Sequence, residues 1–387
     1  MFKEKLRMRL SQLTDVAIIA FLVAMTTSIT SPVFPVFAEK LAGRPELVGP
    51  IASVFGLSAI FINLYIMRFF ERDGALRNLR LGLLLFSLVF ASYILITSPL
   101  MLALAQVALA AAVCFSWTAL SILVKSSSKR GNLGESEGEY FTFVNFGVLV
   151  GVLLGGAIAI SSSYSVVFLY ASLIFLGTYF LAQRIGINDG FKPHNNIAKI
   201  DILQEARRFF RDRKLRMAYM ANVGLYFWAS ASLLYLPIIL KSLGFDFQKI
   251  GMILAVMIVP FLMLEYPVGK LAQKWGSKIF ISAGFFVIAL ASLLIYLNYG
   301  AIFSMILFFF LSFMGSAAIE PLNEMIVNAR SSGKNEVQNM AIFKTSLRLA
   351  YFLGPLCAGL FISFFGISGM FLAMSVIMVG FWWVAGN

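Results

Sequence analysis

The stretch Gly269–Lys278 reads GKLAQKWGSK. It stands where a long apolar run, 251–271, meets a charged loop, with two glycines seven residues apart and lysines at 270, 274 and 278. A glycine at the end of a membrane helix lets a neighbouring helix approach closely. A second glycine suits a tight turn into the next segment. Lysines clustered on such a turn hold it on the cytoplasmic side of a membrane. The spacing therefore predicts the end of one membrane helix, a tight basic turn and the start of the next.

Composition widens this to the whole chain. Of 387 residues, 60% are hydrophobic and only 13% are charged, with a mean hydropathy of +0.88. Soluble domains run at about 45–50% apolar, so the sequence is read as a multi-pass protein of the cell (plasma or inner) membrane, with the lipid bilayer as its first partner. Cys114 and Cys357 fall inside apolar runs, and the single histidine, His194, lies in a polar stretch. These suggest neither a disulfide framework nor a metal site. No zinc motif, nucleophile elbow or phosphate loop occurs, so no cofactor and no enzymatic activity is expected.

Twelve apolar runs are long enough to cross a bilayer core of about 30 Å. They are numbered here as spans 1 to 12: roughly 14–38, 47–70, 80–97, 100–124, 140–161, 164–183, 215–240, 248–272, 279–298, 301–328, 339–364 and 367–385. The first is too long for a signal-peptide core and is read as a retained span. Of the 31 lysines and arginines, only Lys40, Arg44, Lys241 and Lys249 fall opposite the N-terminal side; 31 less those four leaves 27 on it. That asymmetry places both termini in the cytoplasm. It also explains the net charge of +13 without a nucleic-acid partner.

The chain divides into a first six-helix half, 1–183, a central loop, 184–214, and a second half, 215–387. The central loop begins polar and turns basic from Asp201, where Ile202, Leu203, Ala206, Phe209 and Phe210 recur at helical spacing. Asp201 suits a helix N-cap. An amphipathic helix lying on the membrane surface and a solvated, partly helical linker both fit.

The halves repeat at an offset of 202 residues: Pro35 pairs with Pro237, Gly49 with Gly251 and Gly74 with Gly276. Near spans 5 and 11 the offset becomes 203, pairing Gly151 to Gly156 with Gly354 to Gly359. Together with the Gly269–Lys278 loop, this resembles the major facilitator superfamily. Its signature loop, Gly-x-Leu-Ala-Asp-Arg-x-Gly-Arg-Lys, lies between helices 2 and 3 and again between helices 8 and 9. Here Gln273, Lys274 and Ser277 depart from it, and Gly269 and Gly276 keep it. The resemblance implies an all-α fold of twelve membrane helices in two parallel repeats. It also implies a loop that latches the outward-facing state. In the first half Met67, Glu71, Arg72 and Gly74 stand at the corresponding positions; Glu71 and Arg72 either share that latch or merely fix topology.

Span 5 carries Gly147, Gly151 and Gly155 on one face, with Gly156 beside them, and span 11 carries Gly354. They suit close packing between the halves. The family's antiporters have Gly-x-x-x-Gly-Pro-x-x-Gly-Gly in helix 5, where this chain has Val152 for the proline. The helix-4 arginine of many proton antiporters is missing too, since no Lys or Arg occurs between Arg80 and Lys125.

Charges inside spans cost about 2.5–3.5 kcal/mol each on insertion scales and usually serve a function. Span 8 holds Glu265, span 10 Glu320 and Glu324, and span 11 Lys344 and Arg348. Glu265, Glu320 and Arg348 share one depth, which predicts that Arg348 contacts Glu320 or Glu265. One carboxylate is left over, and a carboxylate without a partner in low dielectric can hold a proton. A structural ion cluster and a proton-coupling site both fit. The resemblance implies that helices 1, 4, 7 and 10 line a central cavity. Thr26, Thr27 and Thr30, Trp117, Asn222, Tyr226 and Ser230, and Ser316 are its candidates, with Ser312 and Trp228 nearby. Serine and threonine can instead bond back to their own helix.

The reading is a secondary active transporter that moves a small lipophilic or amphipathic molecule by alternating access, with protons as coupling partner and export as direction. One copy of the chain suffices for it. A symporter importing a small polar solute is the alternative within the class. A membrane-embedded enzyme would need a histidine or a nucleophile–base pair within the spans, and a transporter-like sensor would need a signalling domain. The sequence shows neither.

Overall fold

The computed structural model describes residues 2–127, 133–160, 163–184, 202–331 and 335–386. The described residues form helices and short turns. They are α1 (Phe2–Ile29), α2 (Phe34–Ala42), α3 (Val48–Ser92), α4 (Pro99–Ser127), α5 (Leu133–Ile160), α6 (Tyr164–Arg184), α7 (Ile202–Arg211), α8 (Arg213–Ser242), α9 (Phe247–Trp275), α10 (Ser277–Leu297), α11 (Ile302–Arg330) and α12 (Asn335–Gly386). Eleven apolar segments among them are long enough to cross a membrane. The last, Gln338–Gly386, has 49 residues, about 74 Å at a rise of about 1.5 Å per residue. It breaks at Gly366, with φ 72° and ψ 175°, into spans 11 and 12. The twelve expected spans are therefore present.

The repeat shows in the backbone. α3 breaks at Gly74, with φ 77° and ψ 168°, and 202 residues later α9 gives way to α10 at Gly276, with φ 88° and ψ 140°. Both positions need the left-handed region that side-chain-bearing residues avoid. Asn78, 2% exposed, ties the first break together by donating to Phe69 O at 3.0 Å and Gly74 O at 2.7 Å. At the second break Trp275 and Phe280 stack instead.

The chain forms two compact units: residues 1–41, 58–196 and 240–255, and residues 42–57, 197–239 and 256–387. In the first, α1 packs chiefly on α5 and also on α4 and α6. A Cβ at Gly147 would stand 2.6 Å from Phe21 O, at Gly151 2.2 Å from Met25 O, and at Gly155 2.0 Å from Ile29 O. The glycine steps of four match carbonyl steps of four, so the two backbones touch along this seam, which lies within the first half and not between the halves as expected. Gly156 faces the other way, where a Cβ would lie 3.1 Å from Gly251 Cα. Elsewhere in this unit Phe86, Phe90, Phe168 and Phe175 stack on one another.

In the second unit α10 packs on α11 and α12. A Cβ at Gly354 would meet Phe227 O at 2.5 Å, and one at Gly49 would meet Pro355 O at 2.0 Å and Gly359 N at 3.0 Å. Tyr235, fully buried, fastens the start of α3 by accepting from Gly49 N at 3.0 Å and donating to Pro45 O at 3.2 Å. At the start of α9 that task falls to Asp246, which accepts from Lys249 N at 2.8 Å. This bond holds the Asp246 carboxyl below its ordinary range.

The expected helix on the central loop is α7, and its apolar face is spent on protein rather than lipid. Phe209 is fully buried, and Phe209 and Phe210 set their rings edge-on to Tyr219 of α8, at 6.2 and 5.0 Å. The residues 185–201, with the expected cap Asp201, lie outside the described residues, as do the side chains of Ile202 and Leu203.

Candidate functional site

The second unit carries a polar seam across α8, α11 and α12. Tyr219, Asn222 and Tyr226 follow one another at steps of three and four on α8, the helical spacing that keeps them on one face. Tyr219 OH pairs with Thr345 Oγ1 of α12 at 3.1 Å. One turn on, Asn222 Nδ2 donates to Ser346 Oγ at 2.7 Å, and Asn323 Nδ2 of α11 reaches Asn222 Oδ1 at 3.5 Å. A further turn on, Tyr226 OH donates to Glu320 Oε1 at 2.5 Å. Asn222, Asn323 and Ser346 are buried, whereas Tyr226 and Glu320 are half-buried and stay reachable.

Around Glu320 lie the other ionisable groups. Glu265 on α9 and Glu324 on α11, both half-buried, are near enough to Glu320 to feel its charge. Tyr351 on α12 feels both Arg348 and Glu320. Its ring stacks on Tyr226 at 6.3 Å and meets Phe55 edge-on at 6.0 Å. An aromatic wall thus runs beside a carboxylate.

Several expectations are corrected here. Arg348 makes no ion pair with Glu320 or Glu265, and among the described residues no ion pair joins Lys344 or Arg348 to these carboxylates. Equal depth along a bundle fixes height but not the direction a side chain leaves its helix. Gly269 has nothing within 4 Å of where a Cβ would stand, so it is not a close-packing glycine. It lies with Glu265, Tyr266, Lys270 and Gln273 on an open groove of α9. Lys274 is exposed beyond it. Trp228 is fully buried and donates from Nε1 to Ser292 Oγ at 2.8 Å, so it supplies core rather than wall.

The hydroxyls behave as local helix bonds. Thr26 and Ser316, fully buried, donate to Leu22 O at 2.6 Å and Ser312 O at 3.0 Å. Thr30, 7% exposed, gives its proton to Thr27 O, and Ser230, 6% exposed, gives its own to Phe227 O. None of these four stands on an open wall in this structure. Thr27 bonds its own helix too, but like Trp117 it is half-buried.

In the first-half loop, Arg72 is exposed and lies 3.9 Å from Asp73, which pairs with Arg77 at 2.8 Å. The Glu71 side chain lies outside the described residues. Sequence reasoning missed Tyr351, Asn323 and Ser346. Asn323 stands three residues after Glu320 and Tyr351 three after Arg348, so helical spacing from the charged residues would have marked both.

Comparison with known proteins adds to this geometry. A family model described as the Major Facilitator Superfamily matches residues 16–248 and 218–386. Among curated proteins no sequence matches the chain. Among solved structures, a point variant of the nucleoside transporter NupG is similar with a TM-score of 0.81 at 10% identity, over 97% of this chain and 98% of that one. A bacterial homolog of the human lysosomal transporter Spinster, inward-facing and unoccupied, is similar with a TM-score of 0.76 at 13% identity, over 98% and 97%. Identities this low establish a shared fold and leave function to the site. The matched family model covers nearly the whole length, and the chain belongs to the major facilitator superfamily.

Proposed function

We propose that the chain is a secondary active transporter that exports small lipophilic or amphipathic molecules in exchange for protons. Residues 1–183 and 215–387 would act as the two rocking halves, joined by 184–214, with both termini in the cytoplasm and one copy as the working unit. The observation that carries the reading is the half-buried Glu320 carboxylate, bonded to Tyr226 and beside two further carboxylates without an ion-paired cation among the described residues. Such a group can take up and release a proton without breaking a salt bridge. The rings of Tyr226, Tyr351 and Phe55 beside it favour a flat apolar solute over a sugar-like one. Glu320 and Tyr226 are then the coupling pair, and Glu265 and Glu324 set the field around it.

Flux in proteoliposomes tests this. Under an imposed proton gradient, ethidium and other lipophilic dyes should move against their concentration, and dissipating the gradient should stop them. If the dyes stay put while small polar solutes accumulate, the chain is an importing symporter and the export reading falls.

A further inference from the structure

We propose that the arginine face of α7, with the basic start of α8, is a docking surface for the headgroups of anionic phospholipids. This goes beyond the transport reading and does not depend on it. Residues 202–216 hold six cations, Arg207, Arg208, Arg211, Arg213, Lys214 and Arg216, and all are exposed. The same stretch holds two acids, Glu205 and Asp212, and both are engaged locally. Glu205 pairs with Arg208. Asp212 Oδ1 accepts from Lys214 N at 2.8 Å and Leu215 N at 3.2 Å, which caps α8. Positive charge therefore dominates the surface.

The helix that carries the cations is also anchored. On α7 the exposed positions 207, 208 and 211 share one face, while Phe209 is buried and Phe210 half-buried on the other. Arg216 Nη1 donates to Phe210 O at 3.2 Å and fixes the corner between α7 and α8. A surface already rigid loses less freedom on binding than a solvated linker would. Its height suits the partner as well. Leu215, Ala218 and Tyr219 are buried, and the apolar span of α8 begins among them. The corner thus stands at the level where headgroups meet a spanning helix. Phosphates there are the complementary charge, and each arginine or lysine near such a surface adds about 1 kcal/mol.

The test uses the purified full-length protein. Phosphatidylglycerol and phosphatidylcholine are titrated in turn, and bound lipid is counted by native mass spectrometry. The parent should prefer phosphatidylglycerol, and salt should erode the preference. Arg207→Gln with Arg211→Gln should weaken phosphatidylglycerol binding roughly twenty-five-fold, about five-fold per charge, and leave phosphatidylcholine binding unchanged. Arg207→Lys with Arg211→Lys should keep the preference. Equal binding of the two lipids by the parent overturns the proposal without any variant, and so does an undiminished preference in a folded glutamine variant.

Discussion

Gly151 meets Met25 O on the seam between α1 and α5, and Gly354 meets Phe227 O on the seam between α8 and α12. Met25 and Phe227 are 202 residues apart and the glycines 203, so the two contacts are one contact repeated. The filling around them differs. At the repeat offset, Ala20 and Ala24 stand where the second seam has Asn222 and Tyr226, and Thr118 stands where it has Glu320. The first seam is held by backbone proximity, with Gly147, Gly151 and Gly155 on carbonyls four residues apart. The second keeps one such glycine and adds amide, hydroxyl and carboxylate bonds. The same scaffold thus carries shape in one copy and titratable chemistry in the other.

The largest expected effect separates close packing from open space. Gly155→Ala would drive a Cβ to within 2.0 Å of Ile29 O, and overpacking of this kind costs ~1–3 kcal/mol or more. Gly269→Ala enters open space on α9 and gains about 1 kcal/mol of helix propensity. Thermal unfolding in detergent should show a marked fall for the first variant and none for the second. A comparable fall at Gly269 would restore it as a packing glycine.

Next comes the Tyr226–Glu320 bond. A hydrogen bond to a charged group is worth about 1.5–3 kcal/mol. A double-mutant cycle of Tyr226→Phe and Glu320→Leu, each of which removes one partner of the bond, read as stability in detergent, should show coupling of that order. Additive losses would mean that the pair is not formed.

Asn222→Ala gives a similar or smaller effect. It copies the first seam's Ala20 into the second, takes one donor from Ser346, whose hydroxyl keeps its bond to Phe343 O, and leaves the buried Asn323 amide without its partner, at a cost of ~1–3 kcal/mol for a buried group left unpaired. If the variant unfolds with the parent, the polar seam does not hold α8 to α12 and α11.

The smallest effect belongs to the start of α9. Asp246→Ala removes an N-cap with a solvent-accessible carboxylate, a small loss. The Asp246 carboxyl is held below its ordinary range, so its contribution is present above the ordinary carboxylate pKa and is lost as pH falls through the lowered one. Parent and variant should therefore converge in unfolding temperature at acid pH. A gap that widens in acid would contradict the cap.

What the sequence showed and what it hid follow from the same geometry. Apolar runs and glycines at steps of four depend only on position along a helix, so the twelve spans, the repeat and the glycine face of span 5 were readable, but not that this face meets α1 rather than the other half. Pairing depends also on the direction in which each side chain leaves its helix. Depth therefore brought Arg348 to Glu320 on paper, while the structure gives Glu320 to Tyr226. Gly269 shows the same limit from the other side. Its loop resembles the family signature, yet no neighbouring atom occupies the space that the resemblance led us to expect filled. Asn78, which bridges the break at Gly74, was hidden because nothing in its local sequence marks a buried amide aimed at two carbonyls.

The central claim is that the second copy carries the proton, at Glu320. The most direct measurement is transport by Glu320→Gln in proteoliposomes, in which the side chain keeps its shape and can no longer release a proton. Under an imposed proton gradient the variant should fail to accumulate dye against its concentration, while dye-for-dye exchange at equal pH continues. Accumulation equal to the parent's would show that Glu320 does not couple transport to protons, and the carboxylates of α9 and α11 would then be structural.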